Sequence, residues 1–173
     1  MATAAGPGPS LAQWIRPGSV LPDLTAGSAA GLLDELADCV ARSLPGVASA
    51  ALRFGFAERE ALGTTAVGGG FAIPHCRLAG ARELALRVAR HPAGVDFGAL
   101  DGQPVQVFFA VVAATSSATA HLEALRAIAR FVRQPGTLGR LLAAGGPEEL
   151  AERLVAPPVK EPGAPRQAET ADV

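Results

Sequence analysis

Residues 105–114 hold nine apolar side chains interrupted only by Gln106, and this run constrains the fold more than any other stretch of the chain. It is about half the ~20 residues that a helix needs to cross a bilayer, so it does not read as a membrane span. Its valines and phenylalanines favour extended backbone, Asp101 and Gly102 signal a turn before it, and Pro104 stands at its threshold. The pattern predicts a buried strand over residues 105–112. Such a strand needs cover, and the flanking sequence supplies helices for it.

Ser28 is the expected cap of a helix whose apolar residues Leu32, Leu33, Leu36, Val40 and Leu44 recur at the helical period, ended by Pro45 and Gly46. A second helix is expected over residues 48–61, with Gly55 in its middle and Gly63 as its break. Leu122, Leu125, Ile128, Ala129 and Val132 mark one face of a third helix, capped by Thr119 and stopped by Pro135 and Gly136. A short helix over 138–143 and a last one over 148–154, opened by Pro147, complete the set. Further strands are expected at 71–74, at 84–89 before His91 and Pro92, and at an edge, 95–97. The alternation predicts a sheet with helices on its faces.

A chain of 173 residues has room for one full core and not for two. Apolar residues at 49% against 18% charged describe a globular chain. A formal net charge of −1 gives no electrostatic footing for nucleic acid or an anionic membrane. Residues 1–10 lack the positive and apolar segments of a secretory signal. Cys39 and Cys76 are too few for a disulfide framework. The expectation is a cytoplasmic protein with free thiols. Residues 1–17 read as a flexible lead-in anchored only by Leu11, Trp14 and Ile15, residues 18–155 as the compact domain, and residues 156–173, with Pro157, Pro158, Pro162 and Pro165, as a disordered tail.

Chemistry concentrates around His75. It follows Pro74, which stiffens the chain entering it, and the glycines Gly68, Gly69 and Gly70, whose backbone N–H groups suit close approach to an anion. Arg59, sixteen positions upstream, offers a planar fork of donors. A neutral imidazole is a competent nucleophile. His121, at a helix start that disfavours added positive charge, is suited to stay neutral and donate an N–H to an anion. Each residue also has a plainer reading: a strand-end histidine, a helix-start histidine, a solvated arginine, a flexible glycine turn. The glycines fit neither the dinucleotide fingerprint nor the P-loop. A metal or thiol enzyme using Cys76 is a remote alternative, since adjacent residues of an extended segment face apart and no Cys-x-x-Cys or His-x-x-x-His spacing occurs. His91 reads as an exposed turn residue and Cys39 as core.

Arg59, Glu60, Ala61, Leu62, Thr65, Gly68, and Gly70 through Phe71, Ala72, Ile73 and Pro74 to His75 together resemble the IIA domains of the bacterial phosphoenolpyruvate-dependent sugar phosphotransferase system, in its fructose/mannitol/nitrogen-regulatory branch. The likeness continues through Gly94, Val95, Asp96, Phe97 and Gly98, through Asp101, Gly102, Gln103 and Pro104, and through His121 and Leu122. It spans residues 18–155. The resemblance implies an α/β single domain, a mixed β-sheet flanked by helices on both faces in three α/β/α layers. It also implies phosphorylation of His75, a phosphoryl hydrogen bond from His121 and phosphoryl stabilisation by Arg59, with no cofactor. The implied partners are a histidine-containing phosphocarrier protein and either a IIB domain or a regulatory target, with no nucleic acid and no membrane insertion. A chain showing no IIB or IIC motifs of its own leans toward the regulatory role, with a fructose- or mannitol-type uptake subunit as the alternative. A docking partner calls for an exposed apolar rim around His75, for which Phe71 and Leu78 are the candidates.

Overall fold

The apolar run forms the central strand of a mixed sheet. In a computed structural model that describes residues 10–156, helices α1 (Ala29–Ser43) and α2 (Ser49–Ala61) precede strands β1 (Ala66–Gly68), β2 (Phe71–Ala72), β3 (His75–Leu78), β4 (Ala85–Val95) and β5 (Val105–Ala114). Helices α3 (Ala118–Val132), α4 (Thr137–Leu142) and α5 (Pro147–Val155) follow. β5 pairs antiparallel with β4 on one side and parallel with both β2 and β3 on the other, and β1 pairs antiparallel with β2. Beyond β4, residues 19–21 run parallel to it: Leu21 donates to the Val88 carbonyl and Val88 donates to that of Ser19, both at 2.8 Å.

The two-residue period of β5 divides the core. Phe108, Ala110 and Val112 pack with Leu32, Leu36, Val40, Leu52 and Phe56 of α1 and α2. Val107, Phe109 and Val111 pack with Ala127, Ile128, Leu141, Leu150 and Leu154 of α3, α4 and α5. The three-layer α/β/α arrangement follows from a strand with no polar face to turn toward water.

Several expectations are corrected. The strand read as 84–89 continues as β4 through His91 and Pro92 to Val95, with a register shift between Arg90 and Val95, and Asp96 and Phe97 of the expected edge strand lie outside it. Proline fits there because an irregularity in the ladder leaves its missing N–H without consequence. His91 is accordingly buried, at 4% exposure, and its Nε2 lies 3.0 Å from the Ala26 carbonyl oxygen. The inner face of α3 is Ala124, Ala127, Ile128 and Phe131, while Leu122 is exposed. Small alanines let this helix sit close to β5, a contact that a count of large apolar residues overlooks. Its N-cap position is Ser117, and Thr119 lies inside the first turn. Ser28 caps α1 as expected, its Oγ accepting from the Gly31 N–H at 3.2 Å. Residues 10–16 are not loose: Leu11 is buried, and Trp14 and Ile15 pack beside it against the α3–α5 side of the core. Residues 1–9 of the expected lead-in and 157–173 of the expected tail lie outside the described residues.

One position ties the fold to the site. A Cβ added to Gly55 would lie 2.9 Å from Cys76 Cβ and 3.1 Å from its Sγ, so only glycine lets α2 press this closely on β3. Gly55→Ala would gain up to ~1 kcal/mol of helix propensity and lose about 1–3 kcal/mol to overpacking. We therefore expect a net loss of about 1 kcal/mol, read from urea unfolding midpoints; a more stable variant would show that α2 and β3 are not in this contact.

Candidate functional site

Three elements bring the sequence-selected side chains together. His75 opens β3, Arg59 lies in the last turn of α2, and His121 lies in the first turn of α3. They line one open pocket with Arg77, Thr115 and Leu122. The rings of His75 and His121 are 5.2 Å apart, centroid to centroid, edge to face at 66°. Another cleft, between Ile15, Val20 and Val155, is lined by no histidine or cysteine.

Both ring nitrogens of His75 have assigned partners. Arg59 Nε is 3.0 Å from His75 Nε2, and a guanidinium can only donate, so Nε2 presents its lone pair. His75 Nδ1 lies 2.7 Å from the Ile73 carbonyl oxygen, and therefore carries the proton and donates to it. The ring is thus held as the tautomer whose nucleophilic nitrogen faces the pocket. Pro74 helps set this: its carbonyl accepts from the Val111 N–H at 3.0 Å, which starts the β3–β5 pairing at His75 opposite Val111.

Arg59 is itself braced. Its Nη1 donates to the Gly63 carbonyl at 2.9 Å. The α2–β1 loop that carries Gly63 is fastened by Glu60, whose carboxylate accepts from the Thr65 N–H at 3.0 and 3.1 Å and from Thr65 Oγ1 at 2.5 Å.

Both imidazoles are kept neutral. Burial pushes the His75 pKa below the ordinary histidine value and the Arg59 charge adds to the push, while the Ile73 hydrogen bond and Glu60 oppose it. His121 falls to about 4, first through burial, then through the charge His75 carries when it is protonated, and then through the Arg77 charge. Its Nδ1 is buried with no hydrogen-bond partner. The cleft thus offers an anion two guanidiniums and two uncharged imidazoles, with Glu58 as a carboxylate on its wall.

Other expectations are revised. Gly68, Gly69 and Gly70 do not line this pocket. They turn the β1–β2 hairpin with φ of +86°, +63° and +86°, and Gly69 gives its N–H to Asp101 at 2.8 Å. The glycines that suggested an anion cradle are a turn held by a carboxylate. The rim is also different: Phe71 is 2% exposed and Leu78 packs against the α1–α2 side of the core, whereas Leu62 at 85% and Leu122 at 47% stand exposed beside the pocket. Cys76 alternates inward from His75, and burial raises its thiol to about 12, so no thiolate is at hand. Among the described residues no group of three His, Cys, Asp or Glu side chains has a metal-holding arrangement. Residues to which the sequence reading gave no role in the site are Glu60, Arg77 and Thr115. The strand period pointed to Arg77, two residues past His75, and nothing local pointed to Thr115.

A family model described as the phosphoenolpyruvate-dependent sugar phosphotransferase system, EIIA 2, matches residues 13–156. The chain is 37% identical over 145 residues to a nitrogen regulatory protein of Pseudomonas aeruginosa, covering 84% of this chain and 94% of that one. Its structure is similar to the crystal structure of nitrogen regulatory protein IIA-Ntr from Neisseria meningitidis, with a TM-score of 0.76 and 28% identity over 83% of this chain and 98% of that one. The fold is also that of the mannitol IIA enzyme of Escherichia coli, solved in complex with phosphorylated IIB, with a TM-score of 0.66, 15% identity and coverage of 80% and 95%.

Unfolding returns His121 from about 4 to its ordinary 6.5, so between these values the unfolded chain binds more protons. The stability that neutral His121 contributes is complete above the window and is lost as pH falls through it; the lowered His75 acts in the same direction. Urea midpoints should therefore decline on acidification from about 6.5 toward about 4, and less steeply in His121→Gln, which removes the group while leaving the carboxylates. Equal slopes in the two proteins would contradict the assignment.

Proposed function

Since the chain belongs to the EIIA type 2 family of the phosphoenolpyruvate-dependent sugar phosphotransferase system, we propose that His75 accepts a phosphoryl group from a phosphorylated histidine-containing carrier protein. It then hands the group to a IIB domain or holds it as a regulatory signal. The observation that carries this reading is the paired assignment of the His75 ring: Nδ1–H held by the Ile73 carbonyl, Nε2 lone pair turned to the pocket.

The step balances simply. The Nε2 lone pair attacks phosphorus in line, the P–Nε2 bond forms, and the donor's P–N bond breaks with its electron pair returning to the donor imidazole. The Nδ1 proton of His75 stays in place, so the phosphorylated ring carries a positive charge that the Ile73 carbonyl stabilises. The resting contact between Arg59 Nε and Nε2 has to break as phosphorus arrives. Its guanidinium, still braced on Gly63, then turns a donor to a phosphoryl oxygen. Neutral His121, with its ring beside that of His75, donates to another. Little covalent work falls to the protein, and positioning and charge stabilisation carry the rate. The exposed Leu62 and Leu122 supply an apolar margin where a carrier or acceptor protein seats.

The similarity to nitrogen regulatory proteins favours the regulatory use of the phosphorylated state, and a IIB acceptor of the sugar-uptake kind is the second reading. Placement in the cytoplasm fits a carrier of this kind, and among the described residues no helix is long and apolar enough to cross a membrane.

With a phosphorylated carrier protein as donor, His75→Ala should take up no label while keeping its thermal unfolding transition, and Arg59→Ala should be slowed about 100-fold, the usual effect of losing one positioned donor. Label retained on His75→Ala would place the acceptor elsewhere. Affinity capture with the phosphorylated and unphosphorylated chain separates the two uses: state-dependent capture of a non-transport protein supports regulation, and transfer of label to a IIB domain supports uptake.

A further inference from the structure

We propose that Arg77 is a second cation that holds the phosphoryl group in this pocket, sharing its negative charge with Arg59; the proposal rests on His75 being the acceptor. Arg77 stands two residues beyond His75 on β3, and the strand period sends both side chains to the same side, with Cys76 between them turned into the core. Both line the pocket together with His121. Among the described residues Arg77 has no ion-pair partner, whereas Arg53, Arg90 and Arg153 are held by Asp38, Asp23 and Glu149. Arg82, Arg126, Arg130 and Arg133 are likewise unpaired there, but none of them lines the pocket. Placement, not freedom alone, sets Arg77 apart.

The charge balance gives it work to do. A phosphoryl group carries close to two negative charges near neutral pH. Arg59 brings one positive charge and already spends a donor on Gly63. Glu58 also lines the pocket and adds a negative charge, while Glu60 is engaged by Thr65. The phosphorylated His75 ring adds one positive charge, which leaves one negative charge uncompensated, and the Arg77 guanidinium cancels it. Its field already crosses the pocket, for Arg77 is one of the charges that help keep His121 neutral. Arg77 makes and breaks no bond: it attracts the transferring group's equatorial oxygens while phosphorus passes from donor nitrogen to Nε2.

The test uses potassium phosphoramidate, a small donor that needs no protein docking; its P–N bond breaks, ammonia leaves, and the product on His75 is followed by phosphorus NMR. At low salt, Arg77→Gln should label about five-fold more slowly than wild type, a size suited to an exposed charge. Arg77→Lys should stay within about two-fold, because it keeps the charge while losing the fork. The gap between wild type and Arg77→Gln should close as potassium chloride is raised. A merely structural role predicts neither the lysine rescue nor the salt dependence. Wild type labelled at His75 with Arg77→Gln at the same rate overturns the role of Arg77 alone. A wild-type chain that takes no label at His75 removes the acceptor reading and this one with it.

Discussion

The parallel pairing of β3 with β5 governs the site. β5 is buried on both faces and so must be paired along both edges, since an unpaired backbone group in a dry interior costs about as much as a lost hydrogen bond. Along one edge β4 supplies a continuous partner; along the other the partner is broken, because Pro74 cannot donate to the ladder. The chain resumes at His75, in register with Val111, and that register puts the imidazole at the head of a short strand. There α2 and α3 present Arg59 and His121. Were β3 to slip by one residue, the period of two would turn His75 into the α1–α2 side of the core and Cys76 into the pocket. The buried neighbours of Cys76, with Gly55 against its Cβ, oppose that slip.

From that register the electrostatics follow. Partial burial removes water from both imidazoles and so disfavours their charged forms, and the arginines add to this. Uncharged rings beside fixed cations make a cleft that attracts an anion without supplying a proton to it. The orientation of Arg59 is fixed at a distance: Glu60 holds Thr65, the loop holds Gly63, and Gly63 holds Arg59. When charge arrives the Arg59 contact with His75 Nε2 has to turn, while the brace on Gly63 keeps the guanidinium beside the pocket.

Much of this was legible in the chain. The central strand, the capped α1 and the histidine–arginine set could be read because each rests on a local rule: an apolar run, a capping serine, a proline before a histidine. What escaped reading depends on tertiary context. The inner face of α3 is chosen by how closely small alanines approach β5, and apolar size alone pointed to Leu122. β4 runs through Pro92 because a bulge excuses the missing donor, which local propensity cannot foresee. The glycines at 68–70 were read by chemistry when geometry decided their use, since Asp101 comes from thirty-two residues away to take the Gly69 N–H. His91 looked exposed beside a proline, yet it reaches Ala26 from the middle of a strand.

The resting site also contains its own restraint. The lone pair assigned the attack on phosphorus in the proposed transfer is occupied by Arg59 Nε, and a charge-assisted hydrogen bond of this kind contributes about 1.5–3 kcal/mol. Losing it with nothing in exchange would slow attack by roughly ten- to a hundredfold, at about 1.4 kcal/mol for each factor of ten. The loss is offset only by a ligand whose oxygens accept the same N–H. A phosphoryl group does so and a bare apolar side chain does not. The contact that keeps Nε2 covered therefore also discriminates: it yields to anionic oxygen and stays closed to other groups that enter the cleft. On the proposed function, selectivity for phosphoryl transfer comes from the same arginine that covers the attacking nitrogen at rest.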